Sequence, residues 1–204
     1  MKPILQDIFK DCRIIGLAGV KSSGKTNNLC YLLQQLKNTE VYFFGMDTTT
    51  TEYLLDLGFN EFSSLNQLVG KKNCIIIIDE FQKLRLNDRR YKDVLNKVVD
   101  FVYHNNIYLI FSTPNIREFN TIIGGFIEKW LLKTILVDMC INGSQLKKMV
   151  EDYKGRHKQM NNIILPKDKI LVINNEKEKL ITCEYIKEID DKAKQRNIFE
   201  EGGE

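Results

Sequence analysis

The sequence contains no apolar run that reaches the roughly 18 residues of a transmembrane helix, so we expect no membrane span. It also lacks the apolar core of a secretory signal peptide, since the first eleven residues carry four charges. It has no internal repeat and no low-complexity linker. Together these absences predict an intracellular globular protein.

The cysteines lack the C-x-x-C spacing that is typical of zinc and redox sites. Four of the five lie in or beside apolar runs, which favours reduced thiols in the core over a disulfide framework or a metal centre. They are Cys12, Cys30, Cys74, Cys140 and Cys183.

Neither sign of charge dominates, because 30 basic and 27 acidic residues leave a formal net charge of +3. This balance neither requires nor excludes nucleic acid, so any such contact must come from a local patch. At 204 residues and 43% hydrophobic content, the chain suits a single α/β domain over residues 1–204 with a substantial core. We expect a core over 13–140, a C-terminal helix and hairpin over 141–190, and a frayed tail over 191–204.

The most informative segment is a short apolar run at residues 13–18 followed by a glycine-rich loop at 19–26. The loop reads G-x-x-x-x-G-K-T, the phosphate-binding pattern. Glycines permit a tight turn in which successive backbone N–H groups point inward and bind an anion. Lys25 supplies a positive charge for the β- and γ-phosphates, and Thr26 supplies a hydroxyl for Mg²⁺.

The residues after this loop predict the helix that a phosphate site requires. Leu29, Leu32, Leu33 and Leu36 lie at helical spacing on one face of residues 25–37. The positive end of such a helix faces the phosphates. The residues expected to bind the nucleotide are Gly19, Val20, Lys21, Ser22, Ser23, Gly24, Lys25, Thr26 and Asn27.

Apolar segments alternate with helical patterns, which predicts a mostly parallel sheet flanked by helices, with right-handed crossovers. Strands are expected at residues 13–18, 40–45, 74–79, 107–111 and 130–140. Helices are expected at 25–37, 52–59, 63–69, 91–103, 117–126 and after Ser144, and a loop at 47–51. Residues 169–173 and 180–184 predict a terminal β-hairpin.

A second motif ends the most apolar predicted strand, where Cys74 and four isoleucines precede Asp79 and Glu80. A run that is apolar on both faces is typical of a central parallel strand. Beside a phosphate loop, Asp79 can hold Mg²⁺ through water, and Glu80 can orient and deprotonate an attacking water. The alternative is a strand that ends in two solvated acids, but the upstream loop favours the catalytic interpretation.

Ser112, Thr113 and Asn115 follow the next predicted strand, and their role depends on strand order. If that strand lies between the first strand and the Asp79 strand, its polar end faces the γ-phosphate. Thr113 and Asn115 could then sense hydrolysis. The same residue types also favour ordinary turns, so both interpretations stay open.

Two basic groups follow these motifs. Arg85, Arg89 and Arg90 form either a solvated turn or an arginine finger for a neighbouring subunit's site. Arg89 and Arg90 are the first candidates for the finger, and Arg85 and Arg117 follow them. The second group is either a solvated helix face or a contact with DNA phosphates. Its members are Lys147, Lys148, Lys154, Arg156, His157 and Lys158.

Together these segments resemble the FtsK–HerA superfamily of DNA-pumping ATPases. The resemblance rests on residues 19–26, 75–81 and 107–116, and the stretch from 117 to 135 is similar to the segment beyond the family's sensor strand. It covers about residues 13–140, and the terminal hairpin also fits. The compact length is similar to that of the viral branch, which packages genomes into icosahedral capsids.

This resemblance implies a RecA-like P-loop NTPase fold, a ring of five or six subunits, and Mg²⁺-dependent ATP hydrolysis coupled to movement of double-stranded DNA. It carries over Lys25 and Glu80 as catalytic residues, and Thr26 and Asp79 as residues of the metal site. It also implies capsid vertex proteins as partners and a location in the host cytoplasm or the virion.

The chain departs from the family pattern at two positions. The family usually has glutamine just after the sensor threonine, whereas here Thr113 is followed by Pro114 and Asn115 is the nearest amide. The family often has arginine four residues before the sensor strand's first apolar residue, where this chain has Tyr103. The arginine finger must therefore come from elsewhere in the chain.

Three other classes compete with the motor. A nucleoside kinase of the thymidine kinase type also pairs such a loop with an acidic strand end and a following glutamine, here Gln82, but such kinases often carry a C-terminal zinc-binding cysteine pair that is missing here. A GTPase would need an N-K-x-D motif, which does not follow. A DNA-binding assembly factor that holds nucleotide only as a structural ligand is the third.

Overall fold

The computed structural model describes most of the chain. The described residues are 8–10, 12–36, 38–80, 96–97, 99–114, 126–136, 140, 144–158, 162–174, 177–189 and 191. Within this part, no helix has the length and apolar character needed to cross a membrane.

Within the described residues, ten strands form two sheets. The strands are β1 (Ile14–Ala18), β2 (Glu40–Phe44), β3 (Asn60–Glu61), β4 (Cys74–Ile78), β5 (Tyr108–Thr113), β6 (Lys129–Leu132), β7 (Ile135–Leu136), β8 (Asn162–Ile163), β9 (Lys169–Ile173) and β10 (Glu178–Thr182). Eight of them form the main sheet, in the order β10-β9-β6-β1-β5-β4-β2-β3, and β7 pairs with β8 separately.

The main sheet is parallel from β6 to β3 and antiparallel at the β9–β10 hairpin. β1 and β4 are buried at every residue, as expected for strands covered on both faces. β5 lies between β1 and β4, the order that the motif arrangement predicted. The predicted α/β class, with a mostly parallel sheet and a C-terminal hairpin, is confirmed.

Helices cover both faces of this sheet. They are α1 (Lys25–Leu33), α2 (Thr48–Asp56), the short 3₁₀ helix Leu65–Leu68, and α3 (Gln145–Arg156). Ser144 caps α3 as predicted, because its hydroxyl accepts a hydrogen bond from the Lys147 backbone N–H at 3.2 Å.

The expected loop at residues 47–51 is wrong. Asp47 caps α2 by accepting hydrogen bonds from the Thr50 N–H at 3.0 Å and the Thr50 hydroxyl at 2.7 Å. The helix therefore begins at Thr48, four residues before the expected start. A capping aspartate outweighs the modest helix preference of the threonines that follow it.

Three other predicted elements differ in extent. The strand expected at 130–140 divides into β6 and β7, which pair with different partners. The second hairpin strand begins at Glu178 instead of 180. Of the helix expected at 91–103, residues 96–97 and 99–101 are helical, and most of the helix expected at 117–126 lies outside the described residues.

The core consists of two apolar clusters on opposite faces of the sheet. Alternate residues of β4 enter different clusters, Ile76 and Ile78 one and Ile75 and Ile77 the other, as the two-residue period of a strand requires. α1 and α2 contribute to the Ile75 cluster, and α3 contributes to the Ile76 cluster. All five cysteines lie within the described residues, and each is buried and outside any disulfide.

Candidate nucleotide-binding site

The glycine-rich loop connects β1 to α1 in the strand–loop–helix arrangement that phosphate binding needs. The backbone N–H of Val20 donates to the Thr134 carbonyl at 2.9 Å, which holds the loop beside the end of β6. Ser22 and Gly24 have positive φ angles of 61° and 88°. These left-handed conformations curl the loop into a tight turn, as the sequence predicts.

Atoms packed close to Gly19 and Gly24 explain why neither position of the loop can hold a larger residue. A Cβ atom on Gly19 would lie 2.6 Å from Lys133 Cβ, a distance that packed atoms do not adopt. A Cβ atom on Gly24 would lie 3.1 Å from the Lys167 carbonyl oxygen, and its φ angle already disfavours any other residue. The loop therefore lies against two segments that are distant in sequence.

Lys25 opens α1 and is buried, with 9% of its surface exposed. Its ammonium donates to the carbonyls of Gly19 at 2.9 Å and Val20 at 3.0 Å, so the side chain folds back over the loop. Burial lowers the pKa of Lys25, and the carboxylates of Asp79 and Glu80 oppose this shift. The charge is thus held inside the loop by the acidic pair.

Asp79 follows β4 and is also buried, with 7% of its surface exposed. Its backbone N–H donates to the Phe44 carbonyl at 2.8 Å, which fixes it at the carboxyl edge of β2 and β4. Burial raises the pKa of the Asp79 carboxyl, while the Ser112 hydroxyl, the Glu80 backbone and Lys25 favour its charged form. The site therefore contains a poorly solvated carboxyl that would gain from a cation beside it.

Glu80 is half-buried and has a φ angle of +44°. A non-glycine residue in the left-handed region costs about 1–3 kcal/mol and is often found at functional sites. The neighbouring Gly45 has a φ angle of +85°, and a Cβ there would lie 2.1 Å from the Asp79 carbonyl oxygen. The turn that carries the acidic pair is therefore tightly packed against the end of β2.

β5 brings a third polar group to this edge. Its last residue, Thr113, lies in register with Ala18, the last residue of β1, and both Ser112 and Thr113 are buried. The sensor interpretation of Thr113 depends on β5 lying between β1 and β4, and β5 does lie there. Asn115, the other sensor candidate, lies outside the described residues.

The remaining loop residues differ in their surroundings. Lys21 and Ser22 are exposed, whereas Ser23 is buried, and among the described residues its hydroxyl has no hydrogen-bond partner. The Asn27 side chain both accepts from the Ile186 N–H and donates to the Ile186 carbonyl, each at 3.3 Å. It thus anchors the segment after the terminal hairpin to the first turn of α1.

Lys133 is the residue of this region that the sequence analysis missed. It is fully buried, and its ammonium donates to the carbonyls of Pro166 at 3.0 Å, Lys167 at 2.9 Å and Lys169. Burial lowers the pKa of Lys133 to about 8, and the positive charge of Lys25 contributes in the same direction. The sequence feature that could have identified Lys133 is the presence of a lysine inside the apolar run at 130–140.

The described residues include the basic stretch but none of the arginine candidates. Arg85, Arg89, Arg90 and Arg117 lie outside the described residues. In the basic stretch, Arg156 and His157 both contact the Glu178 carboxylate at 2.5 Å, and Lys147 lies 3.8 Å from Glu151. Part of that stretch therefore pairs with acids of the same chain.

No known family model matches the chain, and no curated protein is detectably similar in sequence. Solved structures do share its fold. The pCW3 conjugation coupling protein TcpA, solved with ATPγS, superimposes with a TM-score of 0.57 at 12% identity, over 90% of this chain and 65% of that chain. The cytoplasmic domain of the type VII secretion ATPase EccC from Thermomonospora curvata gives 0.58 at 10% identity, over 86% and 24%.

The genome packaging NTPase of Sulfolobus turreted icosahedral virus 2, solved with AMP, gives a TM-score of 0.55 at 13% identity, over 86% of this chain and 98% of that chain. This chain thus spans less than two thirds of the first two proteins and nearly all of the viral one. At these identities the likeness shows the fold alone, which this chain shares with the three structures. The expected resemblance is confirmed at this level, and the kinase alternative is not favoured.

Proposed function

We propose that this protein is an ATP-hydrolysing motor that moves double-stranded DNA into a viral capsid. The observation that supports this best is the meeting of Lys25, Asp79 and Thr113 at one edge of the sheet, with β5 inserted between β1 and β4. The match over nearly the full length of a viral genome packaging NTPase supports the packaging class in particular.

The loop and Lys25 bind the phosphates of ATP. Inward-facing N–H groups and the positive end of α1 attract the negative charge, and Lys25 exchanges its carbonyl partners for phosphate oxygens. The buried Ser23 hydroxyl, which has no partner among the described residues, fits a further phosphate contact.

The residues present also fit Mg²⁺. Hydroxyl and carboxylate oxygens are the ligands that this ion prefers, and Thr26 and Asp79 supply one of each. The buried Asp79 carboxyl, whose pKa burial raises, would be stabilised in its charged form by a cation. When bound, Mg²⁺ neutralises charge on the β- and γ-phosphates.

Glu80 is the general base in this proposal. Its carboxylate orients a water toward the γ-phosphate and accepts the proton that the water loses as it attacks. Its backbone lies in the left-handed region, a conformation that is often found at functional sites. Thr113, next to Ala18 in the sheet, lies where it can respond to loss of the γ-phosphate.

The motor acts as a ring of five or six subunits in which Arg89 or Arg90 reaches a neighbouring subunit's site. Double-stranded DNA passes through the ring and is bound by its phosphates without sequence preference, since a packaging motor must pass every sequence. The ring works at a capsid vertex, in the host cytoplasm or attached to the virion.

The test of this function is the rate of ATP hydrolysis with and without long duplex DNA, measured alongside the native mass. We expect turnover with ATP alone, stimulation by DNA and a ring-sized mass. Binding of two unrelated duplexes should be equal and should weaken as salt rises. Turnover that requires a nucleoside acceptor, or binding that is unchanged by salt, would contradict the motor and revive the kinase.

Mixing variants tests the subunit boundary. An Arg89→Ala/Arg90→Ala variant and a Lys25→Ala variant should each be inactive alone. When mixed, some interfaces combine an intact loop with an intact finger, so partial activity should return. Two populations that remain inactive after verified subunit exchange would count against a finger supplied by the neighbour.

A further inference from the structure

Lys133 is a buried charge for which the proposed reaction has no direct use. None of its surface is exposed, and its ammonium donates to the carbonyls of Pro166, Lys167 and Lys169. An ammonium has three donors, and here all three are directed at one turn of the backbone. Such complete pairing indicates a structural task at a defined place.

The backbone at Lys133 holds the start of the phosphate loop. Its N–H donates to the Ala18 carbonyl at 2.9 Å, and the next residue's carbonyl accepts from Val20 N–H at 2.9 Å. These two bonds flank Gly19, whose missing side chain leaves room for Lys133 Cβ. Lys133 therefore packs directly against the first glycine of the loop.

The segment 166–169, whose carbonyls accept hydrogen bonds from Lys133, lies against the other end of the loop. The Lys167 carbonyl oxygen lies 3.1 Å from the place where a Cβ on Gly24 would be. Asp168, in the same segment, accepts from the Cys183 backbone N–H at 2.7 Å, which links it to the end of the terminal hairpin. One side chain thus connects the first glycine of the loop to a segment that contacts the last.

We propose that Lys133 is a positioning residue for nucleotide binding, which sets the width of the phosphate loop by tying residues 166–169 across it. The proposal rests on the proposed function, since it needs a loop that binds ATP. It adds that the C-terminal part of the chain determines affinity for the nucleotide. Lys133 touches the loop but need not touch the nucleotide.

The chain contains a matched control in Lys129, at the opposite end of β6. Lys129 is also buried, with 6% exposure, and its ammonium also donates to backbone carbonyls, those of Ile8 at 2.7 Å and Lys10 at 2.9 Å. These acceptors belong to the N-terminal segment and not to the loop. Replacing either lysine removes similar bonds, but only Lys133 supports the site.

The experiment compares Lys133→Met, Lys133→Arg and Lys129→Met in the full chain, with ATPγS affinity measured by calorimetry below each variant's unfolding temperature. Both methionine variants should unfold at lower temperature. Only Lys133→Met should lose affinity, by about tenfold, which corresponds to about 1.4 kcal/mol. Lys133→Arg should recover part of this loss, and the KM of Lys133→Met should rise more than its kcat falls.

A second measurement uses the unaltered protein, in case Lys133→Met does not fold. Saturating ATPγS should slow amide hydrogen exchange at residues 167–169 if that segment holds the loop. Equal affinities of the two methionine variants, or unchanged exchange at 167–169, would overturn the proposal. A parent chain that does not bind ATPγS would instead overturn the proposed function, so the two failures are distinguishable.

Discussion

The two edges of the parallel sheet use charged side chains in opposite ways. At the amino edge, Glu128 accepts hydrogen bonds from the backbone N–H groups of Arg13 at 2.5 Å and Ile14 at 2.9 Å, and so closes the start of β1. At the carboxyl edge, burial lowers the pKa of Lys25 and raises the pKa of Asp79, so it favours the neutral form of each side chain. At the amino edge, the charged Glu128 side chain supplies hydrogen bonds that the fold needs. At the carboxyl edge, Lys25 and Asp79 are buried, and their charged forms lose favourable contact with water.

This difference separates stability from function. A charge that is satisfied by backbone groups contributes to folding, and its removal leaves those groups without partners. A charge that is buried among few partners becomes useful when a ligand of opposite sign arrives. Variants of Lys25 and Asp79 should therefore change activity, and variants of Glu128 should change stability.

The largest effect is expected from Lys25→Ala at the carboxyl edge. Without the ammonium, the phosphates lose the buried side-chain charge of the loop, so ATP binding should fall below detection while the fold remains. Calorimetric titration with ATPγS checks this, and Lys179→Ala on the exposed face of β10 is the control. Parental turnover in Lys25→Ala would show that the site is elsewhere.

Glu80→Gln should bind ATP like the parent but hydrolyse it more slowly, by about 10²- to 10⁴-fold, because the amide cannot accept the water's proton. Single-turnover kinetics measure this step apart from nucleotide binding. The matched control is Glu61→Gln on the exposed edge strand β3, which should keep parental rates. If binding weakens while the rate holds, Glu80 is not the base.

Glu128→Ala tests the amino edge. The N–H groups of Arg13 and Ile14 lose their acceptor, and so does the Tyr103 hydroxyl, which donates to the same carboxylate at 2.5 Å. We expect a loss of about 1–3 kcal/mol in the free energy of unfolding, with unchanged ATPγS affinity. Chemical denaturation and calorimetry measure the two quantities. A large loss of affinity would remove the distinction between the edges.

The smallest effect is expected from Glu178→Gln, in the outermost strand β10. Burial alone would raise the pKa of Glu178, but hydrogen bonds from Arg156 and His157 lower it overall. A lowered pKa means that the stabilisation is present above the ordinary value of 4.5 and is lost as pH falls through the folded-state value. Because the pair is partly exposed, the melting temperature should drop by about 2 °C or less near pH 7. The deficit should shrink in acid and in high salt, and one that persists at low pH would exclude the ion pair as its cause.

The sequence predicted those parts of the site that are local in the chain. Residues 19–26 carry their own chemistry, and four isoleucines before Asp79 identify a central strand without further information. The place of β5 between β1 and β4 could be inferred only from motif order, because apolar periodicity does not encode which strands are neighbours. The start of helix α2 is expected four residues too late, because its threonines have low helix propensity and the capping role of Asp47 is not evident from the pattern.

What could not be predicted depends on contacts between distant segments. Lys133 is separated by more than 30 residues from the carbonyls that it binds, and Asn27 by 159 from Ile186. Local propensity gives no information about such pairs. A charged residue in an apolar run indicates that some partner exists, but only the fold identifies the segment at 166–169.

The contacts that residues 133 and 166–169 make around the phosphate loop also affect how the site forms during protein synthesis. When residue 60 has left the ribosome, the entire loop has been made. Strands β5 and β6 and the segment at 166–169, which lie beside the loop in the folded protein, follow later in the chain. Long-range pairings of this kind form slowly, because the intervening chain must first be ordered. A nascent chain therefore contains the phosphate loop before the segments that pack against it exist, and we expect a polypeptide truncated before Lys133 to bind no ATP.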